Sequence, residues 1–437
     1  MAETANQAHN ASEPFIFEKV TIESDRAANL KYDIQSVVTD IEIYEHLDKP
    51  YLTGSIVFVD SGGLLTSLDL IGGEKITINI KSTRQNAKTI KKVFYITHIS
   101  NAIKVNDDNE VISLQIIEDI GYFSNLINLS KSFKGKCEDI ISQISKSYLN
   151  KDIEKEGDVY QSAMKVITPN IGPLEAMAWI KNKATDTQGY PFFLYSTFVE
   201  DTIKFRSLSS MLDKVAMNPF APFTHWGTGA SASSDATRRI IQSYNYSNVE
   251  NMFQMISDGV IGSKNLFIDT INGTQESFQL DATNDVLKSY ETTYKVKTLP
   301  YDNRLNLNGT ALNKLESRTI SQIGGSQAFQ NTTSYSEEAN KDGYKKRTVA
   351  RAFNKFLTKA PIDIVVDGYD FIDGEYNTTI GNKINVQFID TIGPTEKIED
   401  KIDQKRSGDY LIFAARHIFK KEKHDLVMSC VKIGNEK

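Results

Sequence analysis

The stretch Gly73-Glu74-Lys75-Ile76-Thr77-Ile78-Asn79-Ile80 returns near the other end of the chain as Gly381-Asn382-Lys383-Ile384-Asn385-Val386-Gln387-Phe388, with Gly, Lys and each apolar position matched. Both copies alternate apolar and polar residues with the period of two that marks a half-buried strand. A strand ending in His-Ile follows each: Val93 to His98-Ile99, and Tyr410 to His417-Ile418. A polar turn and a further strand come next, Val111–Ile117 and Leu426–Ile433. One unit repeated in the same order implies two similarly folded β domains in one polypeptide.

Outward from the first copy, Phe15–Phe17, Ile34–Val38, Ile41–Tyr44, Gly54–Val59 and Val93–Ile99 are short runs separated by Gly, Asp, Asn and Pro. That spacing fits a small barrel or sandwich. Asn106–Asn109 is a polar turn joining Ala102–Val105 to Val111–Ile117 as a hairpin. The period then changes. Ile140, Ile141, Ile144 and Tyr148 recur at helical spacing and predict a helix over Cys137–Leu149. Pro173 opens a second helix with the stripe Leu174, Met177, Ile180 and Ala184, and a stop near Gly189. A hairpin follows, Phe192–Tyr195 and Thr202–Phe205 about Glu200-Asp201, and residues 216–237 read as a long surface loop. Short β-like runs such as Asn265–Asp269 occupy 238–300, and 301–335 read as an extended connection. Glu337–Lys359 is helical by the spacing of Ala350, Phe353 and Leu357, and Pro361 ends it before strands return.

The fold class expected is therefore mainly β with inserted α/β segments: two related β-barrel domains plus helix-containing insertions. The layout is a disordered N-terminus (1–12), a first barrel (13–120), a helix plus β-hairpin insert (121–235), a mixed segment contributing to a second barrel and an insertion (236–345), and the main part of the second barrel (346–437).

Composition narrows the function. The 437 residues are 40% hydrophobic and 24% charged, the balance of an ordinary globular protein. No apolar run approaches the roughly 20 residues of a membrane-spanning helix. Met1–Pro14 has neither the basic nor the apolar region of a secretory signal, so synthesis as a soluble cytoplasmic protein is expected. The net charge of −6 is concentrated: residues 13–120 hold 11 basic against 17 acidic side chains. A nucleic-acid binder needs the opposite surplus.

The chemistry-bearing residues form no catalytic constellation, and neither a cofactor nor a metal is expected. The six His (His9, His46, His98, His225, His417, His424) include no HExxH and no Cys neighbour at ligand spacing. Cys137 and Cys430 are too few for a disulfide scaffold, and Cys137 reads as a half-buried helix residue. There is no GxSxG elbow and no phosphate loop. Arg347, Arg351, Lys355 and Lys359 make one charged helix stripe, read as solvated. Trp179 reads as core; Trp226, in His225-Trp226-Gly227, reads as exposed and available as an interface anchor.

Two blocks carry a resemblance. Lys49-Pro50-Tyr51-Leu52-Thr53-Gly54, Asp60-Ser61-Gly62-Gly63-Leu64 and Leu70-Ile71-Gly72-Gly73-Glu74 resemble the "P-Y-L-x-G … D-x-x-G-L … L-x-x-G-x-E" run of the central baseplate hub proteins of contractile-tailed bacteriophages, relatives of the hubs of contractile injection systems. Ser407-Gly408-Asp409-Tyr410-Leu411-Ile412 with Arg416-His417-Ile418-Phe419 is similar to the pattern of their last barrel. The resemblance implies two tube-like barrels per chain and a homotrimeric ring whose quasi-sixfold rim joins a hexameric tail tube to a trimeric central spike. It also implies a channel that passes DNA without binding it specifically. The implied partners are the tube, spike, tape-measure and other baseplate proteins, in a virion tail assembled in the host cytoplasm. Part of the negative charge of 13–120 is expected to face that channel, where it would repel phosphate. The rival classes are a tail-associated cell-wall hydrolase and a carbohydrate- or receptor-binding tail module.

Overall fold

The computed structural model describes residues 15–436 apart from 28–29, 85, 161–162, 226–237, 247–251, 270–272, 295, 298–305, 312–313, 325–340, 358–360, 373–378, 390–401, 404–405, 421–422 and 434. Its first seven strands are β1 (Phe15–Ser24), β2 (Leu30–Asp33), β3 (Val38–His46), β4 (Thr53–Asp60), β5 (Lys75–Ser82), β6 (Thr89–Lys104) and β7 (Glu110–Glu118). They pair in the order β3-β4-β7-β6-β5-β1-β2, every neighbour antiparallel. Alternation puts Ile41, Ile56, Phe58, Ile76, Phe94 and Leu114 on one buried face, where they form a common core.

An insert with its own core follows. It holds β8 (Ser132–Gly135), the helix Cys137–Ile144 running into a π-turn at Ser145–Leu149, β9 (Ile153–Glu156), β10 (Met164–Ile167), the helix Pro173–Lys181, β11 (Phe192–Ser196) and β12 (Ile203–Ser207). Cys137, Ile140, Ile144, Met177, Ile180 and Phe205 pack together there. The chain then gives β13 (Phe223–Thr224) and β14 (Ser243–Tyr246). A second insertion contains β15 (Gly262–Asp269), β16 (Thr274–Asp281), the short β17 (Val296–Lys297), β18 (Asn306–Leu307) and β19 (Thr310–Ala311), then β20 (Thr319–Gly324) and the helix Lys341–Leu357. The last strands are β21 (Pro361–Asp367), β22 (Lys383–Gln387), β23 (Gly408–Lys420), β24 (Lys423–Lys432) and β25 (Asn435–Glu436).

β14-β21-β24-β23-β22 repeats β3-β4-β7-β6-β5, strand for strand and antiparallel throughout. The registers coincide. Thr53, Ile117, Tyr95 and Lys75 lie opposite one another in succession, as do Pro361, Val431, Leu411 and Lys383. Gly73 donates its N–H to Ile96 O (2.7 Å) and Ile96 N–H returns to Glu74 O (2.9 Å); Gly381 and Ile412 do the same with Asn382 (2.9 and 3.0 Å). Both glycines have positive φ, +89° and +77°, which is why Gly opens each copy. A β-bulge follows at the same place, after Ile96 and after Ile412. The two copies differ at their rims: β1 is antiparallel to β5, whereas the short β13 runs parallel to β22.

Several expectations need correction. Of Ile34–Val38 only Val38 is strand, the first residue of β3; the rest is a turn, because Asp33 Oδ1 accepts Gln35 N–H and Ile34 O accepts Val37 and Val38 N–H. The helix opened by Pro173 ends at Lys181, well before Gly189, where Asp186 Oδ1 instead gathers the N–H groups of Gln188 and Tyr190. The connection 301–335 contains β20, parallel to β15. The two His-Ile pairs are not equivalent positions: register aligns His98 with Ala414, and His417 with Ala102. His9, Trp226, Lys359 and residues 1–12 lie outside the described residues.

Candidate functional site

The two repeats are joined edge to edge. β23 pairs antiparallel with β3, from Ala414 opposite His46 to Lys420 opposite Asp40, and Leu47 N–H donates to Phe413 O (2.8 Å). One sheet therefore runs without interruption from β14 to β2. The seam carries an unusual core. Strand alternation through Ile41 and Ile43 puts Glu45 on the buried face, where its carboxylate accepts from the Phe198 N–H of the insert and the Thr379 hydroxyl of the second repeat. His417 Nε2 lies 3.6 Å from Glu45 Oε1, and His417 Nδ1 is 3.1 Å from His424 Nε2. Burial, reinforced by the neighbouring His417, holds the His424 imidazole well below its ordinary pKa, so it is neutral. Its ring stacks on Phe419 at 4.3 Å. Glu45 thus ties three parts of the chain at one point.

A second buried tie fixes the insert to the first repeat. Lys92 Nζ donates to Glu200 O (2.7 Å) and Thr197 O (3.3 Å), and faces Glu118 Oε1 at 3.5 Å. Glu118 also accepts Leu52 N–H at 2.9 Å. Burial raises the Glu118 pKa, with Lys92 opposing.

The turns in these sequence blocks are held by their own side chains. Asp60 Oδ1 accepts Gly62 N–H (2.9 Å) and its Oδ2 accepts Leu65 N–H (3.3 Å). Glu74 accepts Ile71 and Gly72 N–H and pairs with Arg26. Ser407 Oγ accepts Phe388 N–H (2.9 Å). Gly54 sits where a Cβ would lie 2.3 Å from Glu42 O.

On the open face across the seam, Asp40, Glu42, Asp363, Asp367 and Asp425 stand among Arg416, Lys420 and Lys423, alternating with the buried positions. Arg416 pairs with Glu42, and Lys423 with Asp425 at 2.8 Å.

The other sequence candidates are dispersed. His98 is exposed on β6, and His225 meets the Tyr244 ring edge to face at 4.9 Å. Cys137 and Cys430 are buried, and burial raises the Cys430 pKa. Trp179 packs half-buried against the insert's core. Arg351 and Lys355 line a surface hollow with Arg318, and Lys355 pairs with Asp258 at 3.6 Å. Among the described residues no cluster of His, Cys, Asp or Glu is built to hold a metal, and no helix is long and apolar enough to cross a membrane. Sequence reading missed Glu45 and Lys92, although each is a charge at an inward position of an alternating strand, between Ile43 and Leu47 and between Ile90 and Phe94.

Solved structures resemble the chain to differing extents. A tail protein from Neisseria meningitidis MC58 matches over 96% of this chain and 97% of its own, at 12% identity and a TM-score of 0.54. The chain has the fold of that tail protein. The 43 kDa tail protein of prophage MuSo2 from Shewanella oneidensis covers 95% of this chain and 98% of its own at 11% identity (TM-score 0.49). An E. coli component of the type VI secretion system covers 91% and 75% at 9% identity (TM-score 0.43). No protein-family model and no curated protein sequence matches the chain.

Proposed function

We infer that this chain is a non-enzymatic hub subunit of a phage-type tail baseplate or a related contractile injection machine. Three copies form a ring, each supplying two barrels, so that a quasi-sixfold rim meets the tail tube while threefold symmetry is kept for the central spike. The observation that carries this reading is the repeated sheet joined within one chain by β23 and β3. A duplicated module fused in this way resolves a mismatch between sixfold and threefold partners that a single barrel would leave. The tail-protein fold supports it.

In the ring, the open face of the continuous sheet lines a channel for DNA and for the end of a tape-measure protein. Around the seam that face carries five acids against three cations, which disfavours adhesion of phosphate there, whereas its β5-β1-β2 end carries Lys19, Lys31, Lys75 and Lys91 against Glu23, so the surplus of acids in 13–120 does not dominate that half. Remaining surfaces meet other baseplate proteins in the virion tail. The test is mass in solution across a concentration series. A species of about 147 kDa, three times the 49.1 kDa chain, supports the ring; a stable dimer or tetramer contradicts it.

A further inference from the structure

The seam inside the chain leaves its two halves unmatched at the chain's ends. β23 is paired on one edge by β24; its other edge is taken first by β22 and then, beyond the bulge, by β3. Its counterpart β6 is paired by β7 and, up to Tyr95, by β5. Past its own bulge, residues 98–104 have no strand on that second edge among the described residues. Likewise β3 lies between β4 and β23, whereas among the described residues its counterpart β14 pairs with β21 alone. Each open edge therefore matches a covered one.

Burial records the same asymmetry. Ile43, covered by β23, is 0% exposed, while the equivalent Tyr246 is 37% exposed. His417 is fully buried, whereas its equivalent Ala102 is exposed. Ile103 is 57% exposed, where Ile418 is half-buried. Unpaired edges bearing apolar side chains invite strand addition.

We propose that β6 of one copy pairs antiparallel with β14 of the next, repeating across the subunit boundary the junction that β23 and β3 make inside the chain. This rests on the ring reading above and specifies its contact. The register follows by transfer. Ile418 faces Glu42, and their equivalents are Ile103 and Asn245; His417 faces Ile43, and their equivalents are Ala102 and Tyr246. Such an interface is head-to-tail, so it generates a closed ring when the rotation between barrels repeats. It cannot be satisfied within one chain, because β14 and β6 stand seven strand spacings apart along the sheet, on the order of 30 Å.

The test is oxidative cross-linking of the full chain carrying both Ile103→Cys and Asn245→Cys, beside mass measurement at the same concentration. The native Cys137 and Cys430 are buried and stay silent. Covalent species ending at a trimer are expected, with no longer ladder, and neither single variant gives a covalent trimer. A second variant, Ile103→Asp, is expected to lose the trimer while keeping the unsubstituted unfolding midpoint, since the side chain is exposed in the single chain. A trimer that forms without the 103–245 link, or that survives Ile103→Asp, overturns this contact and leaves the ring reading standing. Absence of both link and trimer at the highest concentration overturns both.

Discussion

The covered seam and the open edges are the same backbone in two circumstances, and their side chains differ accordingly. Where β3 meets β23, the inward positions hold Ile41, Ile43, Phe419 and a buried cluster in which His417 bonds His424 and faces Glu45. At the matching open edges stand Ala102, Lys104, Tyr244 and Tyr246, residues that tolerate water. A junction that never opens can bury charge and compensate it; one that forms only on assembly must leave the single chain soluble. The buried cluster therefore marks the permanent junction.

The sharpest way to break this comparison is at Glu45. Glu45→Ala leaves the Phe198 N–H and the Thr379 hydroxyl without their acceptor and removes the carboxylate that faces His417, and about 3 kcal/mol or more of stability should vanish in denaturant unfolding. Asn245→Ala, at an exposed position of the open edge, should cost under about 0.5 kcal/mol. Lys92→Met should cost about 2 kcal/mol by leaving Glu118 buried opposite an apolar group. Because burial already raises the Glu118 pKa, that loss should shrink as pH falls through the carboxylate range, where the folded variant takes up a proton first.

Gly54→Ala should cost about 2 kcal/mol through its clash with Glu42 O, whereas its counterpart Ile362 accepts Val at about 1 kcal/mol. For His424, the folded pKa lies below the unfolded value near 6.5, so the unfolded chain binds the proton first. Stability should fall as pH drops below about 6.5. His424→Gln should flatten that slope, read from unfolding midpoints at pH 5 and pH 7.5. A small effect, like that at Asn245, belongs to the partly exposed Glu42–Arg416 pair, where Glu42→Gln should change stability by about 0.5 kcal/mol or less.

What the sequence disclosed follows the range of the interaction. Alternation located β5, β7, β15 and both copies of the Gly-x-Lys-Ile strand, because a half-buried strand writes its period locally. The helix at Cys137 was legible from its stripe, although its last turn widens into a π-turn. The Asp33 turn was not, since the apolar run Ile34–Val38 imitates a strand unless the Asp side chain is credited with closing a turn. The seam itself joins residues near 40 to residues near 417, a pairing with no local trace. Its one hint was an inward Glu in an alternating strand. The repeated His-Ile pair was a misleading one, as register puts the two three positions apart.

The central claim is that one polypeptide carries the same sheet twice so that three copies present six barrels. Electron-microscope top views of the assembled particle test it most directly. The account predicts a ring of six lobes around an open centre, alternating between two slightly different shapes under threefold symmetry. A closed ring with any other number of lobes, or an open chain of subunits, would contradict it.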